Sequence, residues 1–430
     1  MNLIKNFLEI LKGNKGRKIL FWSLYDFANT SYMVIIMSIS FAVYFTEVVV
    51  GKENALRDFY WGLSISISML IVAALSPILG AISDRSGLRM RFLFISTAIC
   101  LLFTTLLALT GSGMIIITVV FFILANIGYQ ASSVFYDSLL PLVSEPQDVG
   151  RVSGFGFAMG YLGAFFAVGF SYPIFLLAEK VNNVSILRYS FLVCSGFFLI
   201  FAIPLFMNIR ENRAAAGNMG FIALSRYGFS KVFRTIKSFR LHSNIFKFFL
   251  SFFLYSNALV IMAFFVAIFA RATYGFEISE IALLFLFAQI PAVLGSFIFG
   301  FITDRIGPKR TIMMTLGLWV IIITIALIGR TKIELYIVAA LSGFASPSTF
   351  ASSRAFMSLL VPKGQEVEFF GLYGLFAKLS SITGPLIFGL ISSLTGNQKA
   401  AMSVVILFLL AGLALIMSVK ENPRHRLPGV

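Results

Sequence analysis

Residues 80–91 read GAISDRSGLRMR, and residues 300–310 read GFITDRIGPKR. Gly80, Asp84, Arg85 and Gly87 return as Gly300, Asp304, Arg305 and Gly307, each 220 positions later. The same offset relates Ala131-Ser132-Ser133 to Ala351-Ser352-Ser353, and Ser138-Leu139-Leu140 to Ser358-Leu359-Leu360. Leu24-Tyr25 returns as Leu254-Tyr255 at an offset of 230. One such match is weak, but several at a common offset mark a duplicated unit.

Each copy of the motif ends a long apolar run, and the runs extend in both directions from it. Twelve are long enough to span a bilayer at roughly 20 residues per crossing: 19–50, 59–82, 92–110, 114–137, 152–178, 186–209, 245–271, 279–303, 311–329, 333–361, 369–394 and 399–419. Lipid cannot satisfy open backbone groups, so the crossings are helices, and the absence of period-2 alternation excludes a β-barrel. The composition agrees. Of 430 residues, 59% are hydrophobic and 12% charged, against about 25% charged in soluble domains.

The net charge of +16 raises the question of nucleic acid, and the placement of the charges answers it. The N-terminal arm, the loops after crossings 2, 4, 6, 8 and 10, and the C-terminal tail hold 24 Lys and Arg against nine Asp and Glu. The opposite loops hold eight against seven. This asymmetry places both termini in the cytoplasm and leaves no nucleic-acid surface. Four charges remain inside spans, and they cancel: Asp26, Asp137, Arg354 and Lys378. The basic start of the chain has too short an apolar stretch for a cleaved signal, so the first crossing reads as an uncleaved anchor.

The longest polar stretch separates two bundles of six crossings. The expected organisation is an N-terminal bundle over 1–209, a basic cytoplasmic linker over 210–244 and a C-terminal bundle over 245–430. Within the linker, Phe229, Val232, Phe233, Ile236 and Phe239 recur at helical spacing opposite Lys231, Arg234, Lys237 and Arg240. That pattern suits an amphipathic helix on anionic lipid; a solvated linker is the plainer alternative. Both bundles start and end on the same side, so the repeat axis runs along the membrane normal.

The duplicated loop reads physically as a cytoplasmic latch. Gly80 and Gly300 allow close helix approach. Asp84 and Asp304 suit the positive end of a facing helix. Arg85, Arg91, Arg305 and Lys309 pair with acids of the same layer, and Gly87 and Gly307 serve the turns. Turn chemistry combined with topological anchoring is the competing explanation.

These loops resemble the signature of the major facilitator superfamily. LYDFANTSY (24–32), SPILGAISDRSG (76–87), the SLLP…GRVSGFGFAMGYLG stretch (138–163) and SRAFMSLLVPKGQEVEFFGLYG (353–374) are similar to the vacuolar amino-acid effluxers, a family of autophagy-related permeases of fungi with bacterial members. The likeness covers all twelve crossings. It departs in the seventh, which reads YSNA (255–258) where the family carries an acid. The resemblance implies the major facilitator fold: an all-α membrane protein of twelve transmembrane helices in two pseudo-symmetric six-helix bundles. It also implies amino-acid transport through a cavity lined by crossings 1, 4, 7 and 10. A multi-pass protein of a bacterial cytoplasmic membrane, monomeric and in contact with lipid, is the expectation.

Polar residues fall on those crossings. Tyr25, Asp26 and Asn29 lie on the first. Asn126, Gln130, Ser133 and Asp137 form one stripe of the fourth, and Ser353 and Arg354 end a similar stripe on the tenth. Asn257 lies on the seventh, Gln289 on the eighth and Lys378 on the eleventh. Ionisable groups at such depth are costly and mark function by default. Asp26 would take an ammonium group or a coupling proton, and Arg354 or Lys378 a carboxylate. The structural alternatives are a standing ion pair from Asp26 to Arg354 or Lys378, a cap at Asp137, and backbone satisfaction by Gln289 before Pro291. Gly154, Gly156, Gly160 and Gly163 read as helix-packing positions.

The expected activity is secondary transport of a small polar or zwitterionic solute by alternating access, with amino acids preferred. Another organic or amphipathic solute is the runner-up, and a non-transporting receptor or scaffold is a third class. With two cysteines and two histidines in polar or isolated positions, no disulfide framework, metal centre, cofactor or catalytic constellation is expected, and an enzyme is disfavoured.

Overall fold

In the computed structural model the described residues are 13–85, 88–144, 149–209, 243–361 and 366–420. Among them, twelve helices are long and apolar enough to cross a membrane. They are α1, beginning Gly13–Ser31; α2, Arg57–Arg85; α3, Arg89–Leu107; α4, Ile115–Asp137; α5, Val149–Lys180; and α6, Arg188–Asn208. The second six are α7, Ser243–Tyr274; α8, Ile278–Ile306; α9, Pro308–Ile328; α10, Lys332–Leu360; α11, Glu366–Thr395; and α12, Gln398–Ser418. The protein is an integral multi-pass membrane protein. Residues 210–242 of the linker, with the amphipathic helix expected at 229–240, lie outside the described residues, and Ser243 and Asn244 already belong to α7.

The described residues cluster into two compact units, one drawn from Met1–Gly51 and Ala74–Phe229, the other from Lys52–Ala73 and Ser230–Val430. The first part of α2 therefore groups with α7 to α12. Within the first unit α1 packs on α5 and α6, and α3 on α4. Within the second, α7 packs on α11 and α12, and α9 on α10. The same pairings recur in both, as the 220-residue repeat requires.

Helix starts are chemically explicit in the second unit. Glu277 with Glu280 and Thr331 with Glu334 form capping boxes at α8 and α10, satisfying orphan amides at both ends of each box. Gly307 sits at φ 87° between α8 and α9, a conformation that favours glycine, and Pro308 follows at the first helical position.

The helix α1 is unusual. Past Ser31 it continues as a π-helix over Tyr32–Ile39, returns to α geometry over Ser40–Tyr44, and is π again over Phe45–Val49. Long π stretches are rare and concentrate at functional sites. Its most apolar window is 83% buried and that of α7 is 72%; no other crossing exceeds 44%. These two helices are the most enclosed, and the remaining ten turn more of their surface to lipid.

Close approach depends on glycines that the latch reading does not contain. A Cβ on Gly163 of α5 would overlap the Phe27 carbonyl of α1, and one on Gly295 of α8 would overlap the Phe344 carbonyl of α10. A Cβ on Gly343 would overlap the Ala288 carbonyl in the same α8–α10 seam. Such small-residue contacts let helices pack by dispersion in lipid, where no hydrophobic drive joins them. Gly300, by contrast, has open space where its Cβ would be, so close approach does not explain it.

Candidate functional site

In the first unit, Asp26 is half-buried on α1. Its carboxylate makes no hydrogen bond to another group among the described residues. Three contacts shape its surroundings. The Trp22 ring stacks on Tyr136 at a centroid distance of 4.6 Å, and its Nε1 donates to the Tyr136 carbonyl at 3.3 Å. Tyr25 stacks on the same Tyr136 ring, with centroids 5.0 Å apart. Across from them, Gly160 of α5 lacks a side chain where a Cβ would lie 3.3 Å from Asp26 Oδ2 and 3.0 Å from Thr30 Oγ1. The α5 backbone thus packs directly against the carboxylate at Gly160, and against the Trp22 ring at Gly156.

Asn29 is buried one turn further along α1, with Nδ2 3.5 Å from Ser133 Oγ on α4, at the outer limit of a hydrogen bond. Ser133 in turn donates to the Tyr129 carbonyl at 3.1 Å. Asn29 Oδ1, Tyr32 Oη and Tyr136 Oη are buried with no hydrogen-bond partner among the described residues. Orphaned buried polar atoms are uncommon and call for an explanation; here they lie on α1, which carries Asp26, and on α4. Asp137 is exposed at the end of α4, and its charge repels that of Asp26. Gln130 is half-buried and Asn126 fully buried on the same helix.

Tyr25 is turned away from this space. It is fully buried, and its hydroxyl lies 2.6 Å from Thr97 Oγ1 of α3. Its repeat counterpart Tyr255 behaves alike, 2.6 Å from Ser353 Oγ of α10. Ser353 also donates to the Thr349 carbonyl at 2.6 Å, so it belongs to a helix seam.

The second unit distributes its candidates differently. Asn257 is fully buried, donating to the Phe253 carbonyl at 2.7 Å and accepting from Thr383. Arg354 is exposed on α10, close enough to act electrostatically on Tyr373 of α11. Lys378 and Gln289 are half-buried on α11 and α8.

The latch residues are partly visible. Gly87 lies outside the described residues, as do the side chains of Asp84 and Arg85 and the surroundings of Gly80. Arg91, Asp304 and Arg305 are exposed. Lys309 pairs with no acid among the described residues. Its Nζ donates instead to the carbonyls of Met417 at 3.1 Å and Val419 at 2.8 Å, closing the C-terminal end of α12 as cations do.

Two groups lie outside the sequence candidates. Tyr136 stacks on both Trp22 and Tyr25, the residues that flank Asp26 on α1, and nothing in the sequence sets it apart from the other aromatics of its crossing. Asp58, an acid of an outer loop in the sequence, is 4% exposed at the start of α2. It accepts from Ser392 Oγ at 2.5 Å and Gln398 Nε2 at 2.7 Å, both on one carboxylate oxygen.

Comparison with known proteins gives the following. Residues 49–426 match the model of a family described as "Vacuole effluxer Atg22 like". An uncharacterised major-facilitator-type transporter of Bacillus subtilis, YxiO, is 27% identical over 413 residues, covering 93% of this chain and 94% of that one. Autophagy-related protein 22 of Kluyveromyces lactis is 25% identical over 389 residues, covering 82% of this chain and 77% of that one. Among solved structures, a bacterial homologue of the human lysosomal transporter Spinster superposes with a TM-score of 0.72 at 14% identity, covering 96% of this chain and 99% of that one. The nucleoside transporter NupG gives a TM-score of 0.68 at 14% identity, covering 95% of this chain and 98% of that one. At such identities the structures establish the fold alone, which is that of the major facilitators.

Proposed function

Because this chain belongs to the Atg22-like vacuole effluxer family and is a membrane transporter of the major facilitator type, we propose that its cargo is an amino acid, carried by alternating access. The observation that carries this reading is the Asp26 carboxylate, half-buried against Gly160 and without a hydrogen bond among the described residues. A carboxylate at that depth is costly unless it meets a cation. Asp26 receives the substrate ammonium or a coupling proton, and Asn29 and Ser133 supply polar contacts beside it. The apolar walls of Trp22 and Tyr136 accommodate the carbon skeleton. No cofactor enters this scheme.

Counterflow in proteoliposomes tests it. Vesicles loaded with an unlabelled amino acid should accelerate entry of the labelled form. Absence of acceleration for every amino acid would overturn the substrate class, while acceleration by any solute would retain the carrier mechanism.

A further inference from the structure

A second polar space lies at the opposite end of α2 from the duplicated loop. It is a cavity of about 410 Å³, within the size range of small-ligand pockets, and every residue lining it belongs to the second unit. Asp58 and Gln398 form its buried wall, at 4% and 9% exposure. Ser392 and Gln398 both donate to Asp58 Oδ2. The other carboxylate oxygen, Asp58 Oδ1, has no hydrogen-bond partner among the described residues, and neither has Gln398 Oε1. Arg57 Nε lies 3.9 Å from Oδ1, beyond hydrogen-bond reach. Arg57 is engaged elsewhere, donating Nη1 to the Lys52 carbonyl at 2.5 Å.

Two buried acceptors, Asp58 Oδ1 and Gln398 Oε1, therefore share a wall on which no described group donates to them, and the cation nearest the carboxylate is Arg57 at ion-pair distance only. Water offers two donors and no charge; an ammonium offers three donors and a positive charge. The rest of the lining carries Lys52, Arg57 and Lys399 against the single acid Glu53, with Lys399 Nζ also donating to the Gly329 carbonyl at 3.2 Å. The geometry points to a second binding site, at Asp58 and Gln398, for a small zwitterion with a primary ammonium group. That group bonds Asp58 Oδ1 and Gln398 Oε1, and the carboxylate faces Lys52 and Lys399. The site uses no residue of the Asp26 space, so the two readings stand or fall separately.

The test measures binding of a radiolabelled equimolar mixture of L-amino acids to the purified full-length protein in detergent. Asp58→Asn should weaken one component of binding at least tenfold. Ala272→Trp, which fills the cavity from an exposed wall position and leaves the Asp58–Ser392–Gln398 contacts intact, should do the same and keeps the test valid if Asp58→Asn fails to fold. Methylammonium should compete for this component and tetramethylammonium, which has no N–H, should not. Unchanged binding in Ala272→Trp, equal competition by both cations, or no bound label in the unsubstituted protein would overturn the site and leave the cavity to solvent. A loss in Asp26→Asn alone would also overturn it while sparing the central reading. A loss in the outer variants alone would support it and remove the central one.

Discussion

The Thr383 hydroxyl of α11 donates to Asn257 Oδ1 of α7 at 2.7 Å. With its amide already donated to the Phe253 carbonyl, Asn257 is a bracket between two helices. Asn257→Leu removes both bonds, and the Thr383 hydroxyl keeps only the Leu379 carbonyl at 3.0 Å. A net cost of about 1 kcal/mol per hydrogen bond predicts a lowered melting temperature with KM close to that of the unsubstituted protein. A large rise in KM at unchanged stability would assign Asn257 to the substrate instead.

At Asp26, removal of the charge separates coupling from positioning. Asp26→Asn keeps the shape and cannot ionise. Uptake or efflux should lose its dependence on external pH, and proton-driven accumulation should fall at least tenfold. A pH profile identical to that of the unsubstituted protein would exclude Asp26 from coupling.

The glycines of α5 offer a graded series. Gly154 has nothing within 4 Å of its Cβ position, so Gly154→Ala should be neutral or stabilising by up to about 1 kcal/mol through helix propensity. Gly160→Ala places a methyl group 3.3 Å from Asp26 Oδ2 and should reduce transport more than stability. Gly163→Ala collides with the Phe27 carbonyl and should cost roughly 1–3 kcal/mol or more as overpacking. Expression level, melting temperature and initial rate read the three effects apart. Equal behaviour of all three would refute the packing account.

Lys309 is expected to matter for α12. Lys309→Met loses two charge-assisted bonds to terminal carbonyls, worth about 1 kcal/mol in total at this part-exposed site. Melting in detergent should fall slightly, and cytoplasmic cysteine-reagent access should not change. Increased access would restore the latch reading.

The twelve crossings and the repeat were legible because apolar length and a fixed offset survive any local detail. Which polar residues face open space was less so. Asp26 and Tyr25 are adjacent in sequence, yet one lies against Gly160 with no hydrogen bond among the described residues and the other joins Thr97. Ser353 and Asn257 show the same limit, since a polar stripe marks an inward face without distinguishing a cavity from a helix seam. Asp58 was hidden by its neighbours: beside Arg57 and Glu53 it reads as an ordinary loop charge, and only its proximity to Ser392 and Gln398, more than 330 positions away, reveals its burial. Tyr136 was masked by composition, because an aromatic among many in a lipid-spanning run carries no mark of its own.

The π stretches of α1 have a consequence for aim. Each α residue turns the chain by about 100°, and a π turn absorbs an extra residue without passing on that rotation. Tyr32–Ile39 therefore acts as an angular spacer between Asp26 and the Ser40–Tyr44 segment. Letting the full-length stretch relax to α geometry would pass that rotation on and swing the carboxylate by about that angle relative to Tyr44, whereas deleting the one extra residue at the same time would leave its direction nearly unchanged. The azimuth of Asp26 is thus set by the winding of the residues that follow it, a dial that a substitution forcing α geometry would turn and a compensating single deletion would not.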